Sequence, residues 1–156
     1  MPQDKTPLGA SQKFALIGAG PMGLAAAKVM TEQGIPFQGF ELHSDVGGLW
    51  DIDAPRSTMY ETAHLISSKT MTEFADFPMR EDVAEYPSHT EMKRYFQDFA
   101  AHYDLYSKYH FNTEVLSAVP LGAAGAGWRV TWRDAQGKEQ SDVFAGVMIA
   151  NGTLSE

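Results

Sequence analysis

Residues 14–23, FALIGAGPMG, constrain the fold of this chain more than any other stretch. A short apolar run breaks into Gly18, Gly20 and Gly23, and Pro21 opens a segment compatible with helix as far as Gln33. Residues 13–18 read as a short buried strand, bounded by glycine. Pro21 suits a first helical turn, where its missing N–H has no partner to lose, and Gly34 is a natural stop. Residues 36–41 (PFQGFE) then read as a second strand. Strand, glycine turn, helix and strand in about 30 residues is a βαβ unit with a right-handed crossover, so the expected class is α/β.

The same spacing carries a chemical expectation. In Gly18-x-Gly20-x-x-Gly23 the first glycine permits the tight turn. The second lets backbone approach a pyrophosphate, and the third lets helix pack on strand. Free N–H groups and the positive end of the helix dipole then face the phosphates. Glu41 ends the second strand, at the distance where a carboxylate accepts hydrogen bonds from ribose hydroxyls. Its charge disfavours a 2′-phosphate, so FAD or NAD is expected there rather than NADP. Gly47-Gly48-Leu49-Trp50 offers close backbone passage beside a flat aromatic surface. Ala150-Asn151-Gly152 ends the last apolar strand, where open α/β sheets bind ligands.

Residues 42–87 show little periodicity, and a loop this long in a compact domain is usually functional. Met71, Phe74 and Phe77 within it read as local packing. Ser88 and Glu91 have capping-box spacing, and Met92, Tyr95, Phe96, Phe99, Ala100 and Tyr103 form one apolar helical stripe. The remainder reads as strands at 109–111, 114–119, 128–133 and 140–144, with a turn at 135–138. The run 143–150 (VFAGVMIA) reads as one buried parallel strand. Residues 1–12 are expected to be a mobile tail and 13–156 a single domain. There is no cysteine, and the five histidines make no HxH or HxxxH pair, so no metal site is expected. The net charge of −8 without a basic cluster argues against nucleic acid. Without an apolar segment of signal or spanning length, no membrane partner is expected and the reading is cytoplasmic.

The stretches LIGAGPMGLAAAKV, FELHSDVGGLW, MYETAHLISSKTMTEFADFP, YPSHTEMKRYFQDFAAHYDL, WRVTWRD and VFAGVMIANG, in that order, resemble the N-terminal part of the flavin-containing monooxygenase family. The resemblance implies a Rossmann-like FAD-binding βαβ domain with an inserted β-hairpin or meander, incomplete relative to the full family fold. It implies FAD at Gly18, Gly20, Pro21, Met22 and Gly23, with Glu41 and Leu42 at the ribose. Gly48, Leu49, Trp50 and His64 would lie toward the flavin, Val115 toward the adenine through its backbone, and Ala150, Asn151 and Gly152 at the strand end. Family members take reducing equivalents from NADPH (or NADH) and pass one atom of O2 to a small-molecule substrate, an amine nitrogen or sulfide sulfur. A homodimer is the assembly expected of a full-length parent.

Two departures qualify the resemblance. Within His64-Leu65-Ile66-Ser67-Ser68-Lys69 the family carries an asparagine against the flavin, and Ile66 stands there in this chain. An aliphatic side chain donates no hydrogen bond, so that role is lost or passes to His64, Ser67 or water. The catalytic residues are accordingly unassigned. The family's second glycine motif, for NADPH, and its F-x-G-x-x-x-H signature both lie beyond Glu156. The expectation is a fragment that is inactive alone and holds FAD weakly or not at all. Alternatives are a Baeyer–Villiger or N-hydroxylating relative, a flavoprotein reductase or dehydrogenase, or a nucleotide-binding module without catalysis.

Overall fold

The computed structural model describes residues 12–122 and 127–152, so most of the expected tail lies outside the described residues. A four-stranded parallel sheet, ordered β3-β2-β1-β7, forms from Tyr109–His110, Phe37–Phe40, Phe14–Ile17 and Gly146–Ile149. Three antiparallel strands, β4 (Glu114–Pro120), β5 (Trp128–Arg133) and β6 (Glu139–Phe144), form a second sheet. This is the α/β architecture with an inserted meander that the sequence leads one to expect.

Alternation along β1 explains the layering, because successive strand side chains point to opposite faces. Ala15 joins Phe40, Val130, Trp132 and Phe144 in a core between the two sheets. Leu16 faces the other way, into a core with Leu24, Ala27, Met92, Phe96 and Phe99. These come from α1 (Pro21–Glu32) and α3 (His89–His102). The order of layers is helices, parallel sheet, meander.

Both helices stop by the same device. The N–H of Ile35 reaches Met30 O at 2.9 Å and that of Gly34 reaches Thr31 O at 3.2 Å, with Gly34 at φ +65°. At α3, Leu105 N–H reaches Ala100 O at 2.8 Å and Asp104 N–H reaches Ala101 O at 3.2 Å. These paired bonds satisfy the last carbonyls that a helix otherwise leaves open. The capping box of α3 is present as expected: Ser88 Oγ accepts from Glu91 N–H, and the Glu91 carboxylate accepts from Ser88 N–H at 2.8 Å.

Residues 42–87 hold little regular structure beyond a 3-10 turn at Gly48–Trp50 and the single turn α2 (Lys69–Thr72). They are fastened by side chains instead. The Lys69 ammonium donates to Arg80 O, Glu81 O and Val83 O at 3.3, 3.2 and 2.8 Å. Lys28 pairs with Asp76. Phe74 and Phe77 pack on Tyr95 and Phe99 of α3, as local packing requires. Met71 does not join them; it is 82% exposed on the outer side of α2.

One strand expectation is corrected. Residues 143–150 are not a single buried strand: β6 ends at Phe144 in the meander, and Ala145 turns the chain, its N–H donating to Lys13 O at 2.9 Å. β7 then pairs with β1 in the parallel sheet, Val147 opposite Ala15. An unbroken apolar run cannot reveal a change of sheet. β7 is the sheet edge among the described residues, and Met148 and Ile149 are exposed there.

Ser88→Ala should cost about 1 kcal/mol in chemical denaturation, the usual worth of an N-cap side chain. The Ser88 N–H holds the Glu91 carboxyl below its ordinary value, so the folded state favours the charged form. The stability due to Glu91 is therefore present at neutral pH and lost as pH falls through its lowered pKa. Acid titration of Glu91→Gln should lack that loss. Tyr95 gives the opposite sign: burial pushes its phenol from 10.0 up to about 12. Its contribution should hold below pH 10 and fade as pH rises toward 12, and an alkaline unfolding series on Tyr95→Phe should not show this fade.

Candidate functional site

The glycine turn sits at the carboxyl end of the parallel sheet, held from both sides. Gly18 N–H donates to Phe40 O at 2.8 Å, and Ala150 N–H donates to Ile17 O at 2.8 Å. Gly18 adopts φ +104°, and a Cβ there would stand 2.4 Å from Ala150 O, so no other residue fits. At Gly23 the obstacle is packing: a Cβ would lie 1.9 Å from Gly18 O. That same carbonyl accepts a hydrogen bond from Tyr109 Oη at 3.0 Å, and burial holds the Tyr109 phenol protonated, well above its ordinary range.

Glu41 is only 7% exposed. One carboxylate oxygen accepts from Ala19 N–H at 2.6 Å, the other from His43 N–H at 2.8 Å. Its first task is thus to brace the glycine turn, and each oxygen keeps a lone pair for a further donor. Ala19 O in turn accepts from Gly47 N–H at 3.0 Å. This draws the GGLW turn across the glycine turn until Gly20 and Gly48 meet: a Cβ at Gly48 would be 3.0 Å from Gly20 Cα. The first helical N–H paired within α1 is that of Leu24, to Gly20 O at 2.9 Å. The N–H groups of Met22 and Gly23 precede it and point out of the helix start, where an anion fits.

Beyond Glu41 the surface opens into a cavity of about 590 Å³, large enough for a nucleotide, lined by Leu42, His43, Asp45, Asp51, Arg56, Lys93, Asn112 and Glu114 among others. His43 Nδ1 is buried without a hydrogen-bond partner among the described residues. Asp51 and Lys93 form a 2.6 Å ion pair in the wall, and the carboxylate raises the Lys93 pKa.

Of the residues singled out from the sequence, the structure gathers Gly18, Gly20, Gly23, Glu41, Gly48 and Ala150 around one turn, with Pro21 and Met22 at the helix start. Leu42 lines the cavity. Leu49 is partly exposed, and Trp50 closes the 3-10 turn with its ring packed against the helical core. Val115 faces Trp132 in β4, beside Glu114 of the cavity and next to an irregularity in strand register. Asn151 and Gly152 continue from Ala150, Gly152 at φ +84°.

His64, Ile66 and Ser67 are elsewhere, on the loop docked at the start of α3, and are not among the cavity residues. His64 Nδ1 lies 2.8 Å from Thr62 O, Ser67 Oγ lies 2.8 Å from Thr72 Oγ1, and Ile66 is 99% exposed. The sequence reading missed Asp45, Asp51, Arg56 and Lys93. Lys93 and Gln97 stand at helical spacing off the apolar stripe, a visible signal, but their acidic partners lie far away in sequence. Among the described residues no three His, Asp or Glu side chains converge as metal ligands.

A family model described as flavin-binding monooxygenase-like matches residues 11–156. This chain belongs to that family. The flavin-binding monooxygenase-like chain is 35% identical over 148 residues to flavin-containing monooxygenase 2 of Homo sapiens, a match covering 91% of the chain and 28% of the relative. It is 32% identical over 168 residues to flavin-containing monooxygenase FMO GS-OX-like 6 of Arabidopsis thaliana, covering 94% and 36%. Among solved structures, OTEMO in complex with FAD and NADP superposes with TM-score 0.77 at 26% identity, covering 92% of this chain and 26% of that one. An oxidized steroid monooxygenase bound to NADP gives 0.75 at 27%, covering 90% and 26%. The chain thus spans about a third or less of the length of these relatives.

Gly23→Ala should destabilise the fold by roughly 1–3 kcal/mol, the cost of forcing a methyl into a closed contact, since the obstructing atom is backbone. Urea unfolding checks this; an unchanged midpoint would show that α1 does not rest on the Gly18 carbonyl.

Proposed function

We propose that this chain is the FAD-binding N-terminal segment of a flavin-dependent monooxygenase that uses NAD(P)H and O2 to oxygenate an amine nitrogen or a sulfide sulfur. One observation carries the reading: a glycine turn braced by the buried carboxylate of Glu41 and crossed by Gly47-Gly48, in a chain the family matches over residues 11–156. The residues suit the cofactor. Free N–H groups of Met22 and Gly23 meet phosphate oxygens, and the absence of side chains at Gly20 and Gly48 leaves backbone open to them. Glu41 retains lone pairs for ribose hydroxyls, and His43 lines the cavity beside it. Bound FAD would supply the two-electron chemistry that couples NAD(P)H oxidation to oxygen. The amine arm draws on N-oxide-forming dimethylaniline monooxygenases, 35% identical to this chain. Most of the NAD(P)H site would lie outside this chain, so alone it is expected to turn nothing over.

Ile66 supports a second reading. Its exposed side chain offers no hydrogen bond at the position where the family places asparagine, which favours a flavoprotein reductase. In a full-length protein carrying this chain, oxygenated product and hydrogen peroxide measured per NADPH separate the two. Product near stoichiometry upholds the monooxygenase; peroxide alone upholds the reductase.

Glu41→Gln replaces an acceptor of two N–H groups by an amide whose NH2 opposes one of them. FAD affinity should fall by about tenfold or more, as expected when a charged acceptor is lost. A titration following flavin fluorescence tests it, and equal affinity would remove Glu41 from the site.

A further inference from the structure

Two carboxylates flank the GGLW turn, and both are held by one face of α3. Before the turn, Asp45 Oδ2 accepts from Gln97 Nε2 at 2.7 Å and Asp45 Oδ1 from Tyr106 Oη at 2.9 Å. After it, Asp51 Oδ1 accepts from Lys93 Nζ at 2.6 Å. Asp51 is 6% exposed, so its charge needs that partner. Lys93 and Gln97 are one helical turn apart and so project from the same side of α3. The neighbouring apolar stripe, Met92, Phe96 and Phe99, is locked in the core and fixes the rotation of the helix. The stem of Lys93 also runs under the turn, with Cγ 3.9 Å from where a Gly47 Cβ would be.

The GGLW turn is also anchored by the Trp50 ring in the helical core and by Ser57 Oγ, which donates to Leu49 O at 2.7 Å. Its own bonds are short-range, Trp50 N–H to Gly47 O and Asp51 N–H to Gly48 O, and one bond, Gly47 N–H to Ala19 O, crosses between the turns. We propose that Lys93 and Gln97 form a two-point clamp that grips the GGLW turn through Asp51 and Asp45 and fixes the close seating of Gly48 on Gly20 beside the cavity. They are positioning residues: they act on a nucleotide through the turn they hold. The proposal rests on the reading of this cavity as a flavin nucleotide site.

Two measurements test it, the first on the 156-residue chain. The first needs no ligand: amide hydrogen exchange of residues 47–51 in wild type, Lys93→Met and Gln97→Met. Release of the clamp should speed exchange there by about tenfold in Lys93→Met and less in Gln97→Met, with β1 and α1 amides unchanged. The second is FAD titration of a full-length protein carrying this chain, followed by flavin fluorescence. Lys93→Met should raise Kd by about tenfold, and Lys93→Arg, which keeps the ion pair, should stay within about twofold of wild type. Should Lys93→Met not fold, Lys93→Met/Asp51→Asn leaves no unpaired buried charge and carries the same expectation. Unchanged exchange at 47–51 overturns the clamp. Faster exchange with unchanged FAD affinity overturns its link to the nucleotide. A full-length protein carrying this chain that binds no FAD overturns the flavin reading beneath both.

Discussion

The buried carboxylate of Glu41 is the interaction on which this architecture turns. It joins the end of β2 to the Ala19 N–H of the glycine turn and to the His43 N–H of the segment that leaves the sheet. A carboxylate presents two acceptor oxygens on one side chain and so spans both donors, and hydrogen bonds to a carboxylate are worth more than neutral ones. With Ala19 held, its carbonyl is aimed at Gly47 N–H, and the GGLW turn is drawn over the motif. The helix start, the turn above it and the mouth of the cavity all inherit their positions from that brace.

The layers around it divide the work. Close contact of Gly23 with Gly18 O sets α1 tightly on the sheet, and the apolar stripe of α3 fills the space beside it. On the other face Phe40, Trp132 and Phe144 seat the meander. The meander therefore delivers Glu114 to the wall of the cavity without sharing a hydrogen bond ladder with the parallel sheet among the described residues. Loop 42–87 has no ladder of its own, and its order comes from side-chain anchors such as Lys69, Lys28 and Tyr95.

Much of this was legible in the sequence. Gly18, Gly20, Gly23 and Glu41 stand at a spacing that a braced glycine turn requires, and Ser88 with Glu91 announced the start of α3. The family resemblance read from the motifs is the family found by comparison. The passage from 143 to 150 was misread, since apolarity is the same on either side of the Ala145 turn. Met71 was misread because an apolar residue in a one-turn helix has no periodicity to say which side faces out. The Asp51–Lys93 pair was not legible at all: nothing near Asp51 in the chain indicates which distant cation will neutralise it.

Local spacing alone determined the βαβ unit, the glycine turn, the capped amphipathic helix and the acceptor at Glu41, because turns, helices and strand alternation depend on residues a few places apart. Only the tertiary structure decided that the Glu41 carboxylate is spent first on backbone, that β7 lies at the sheet edge among the described residues, that His64 and Ile66 do not line the cavity, and that α3 grips both ends of the GGLW turn. Those facts depend on which distant surfaces share the parallel sheet, and burial then selects which charges must find each other.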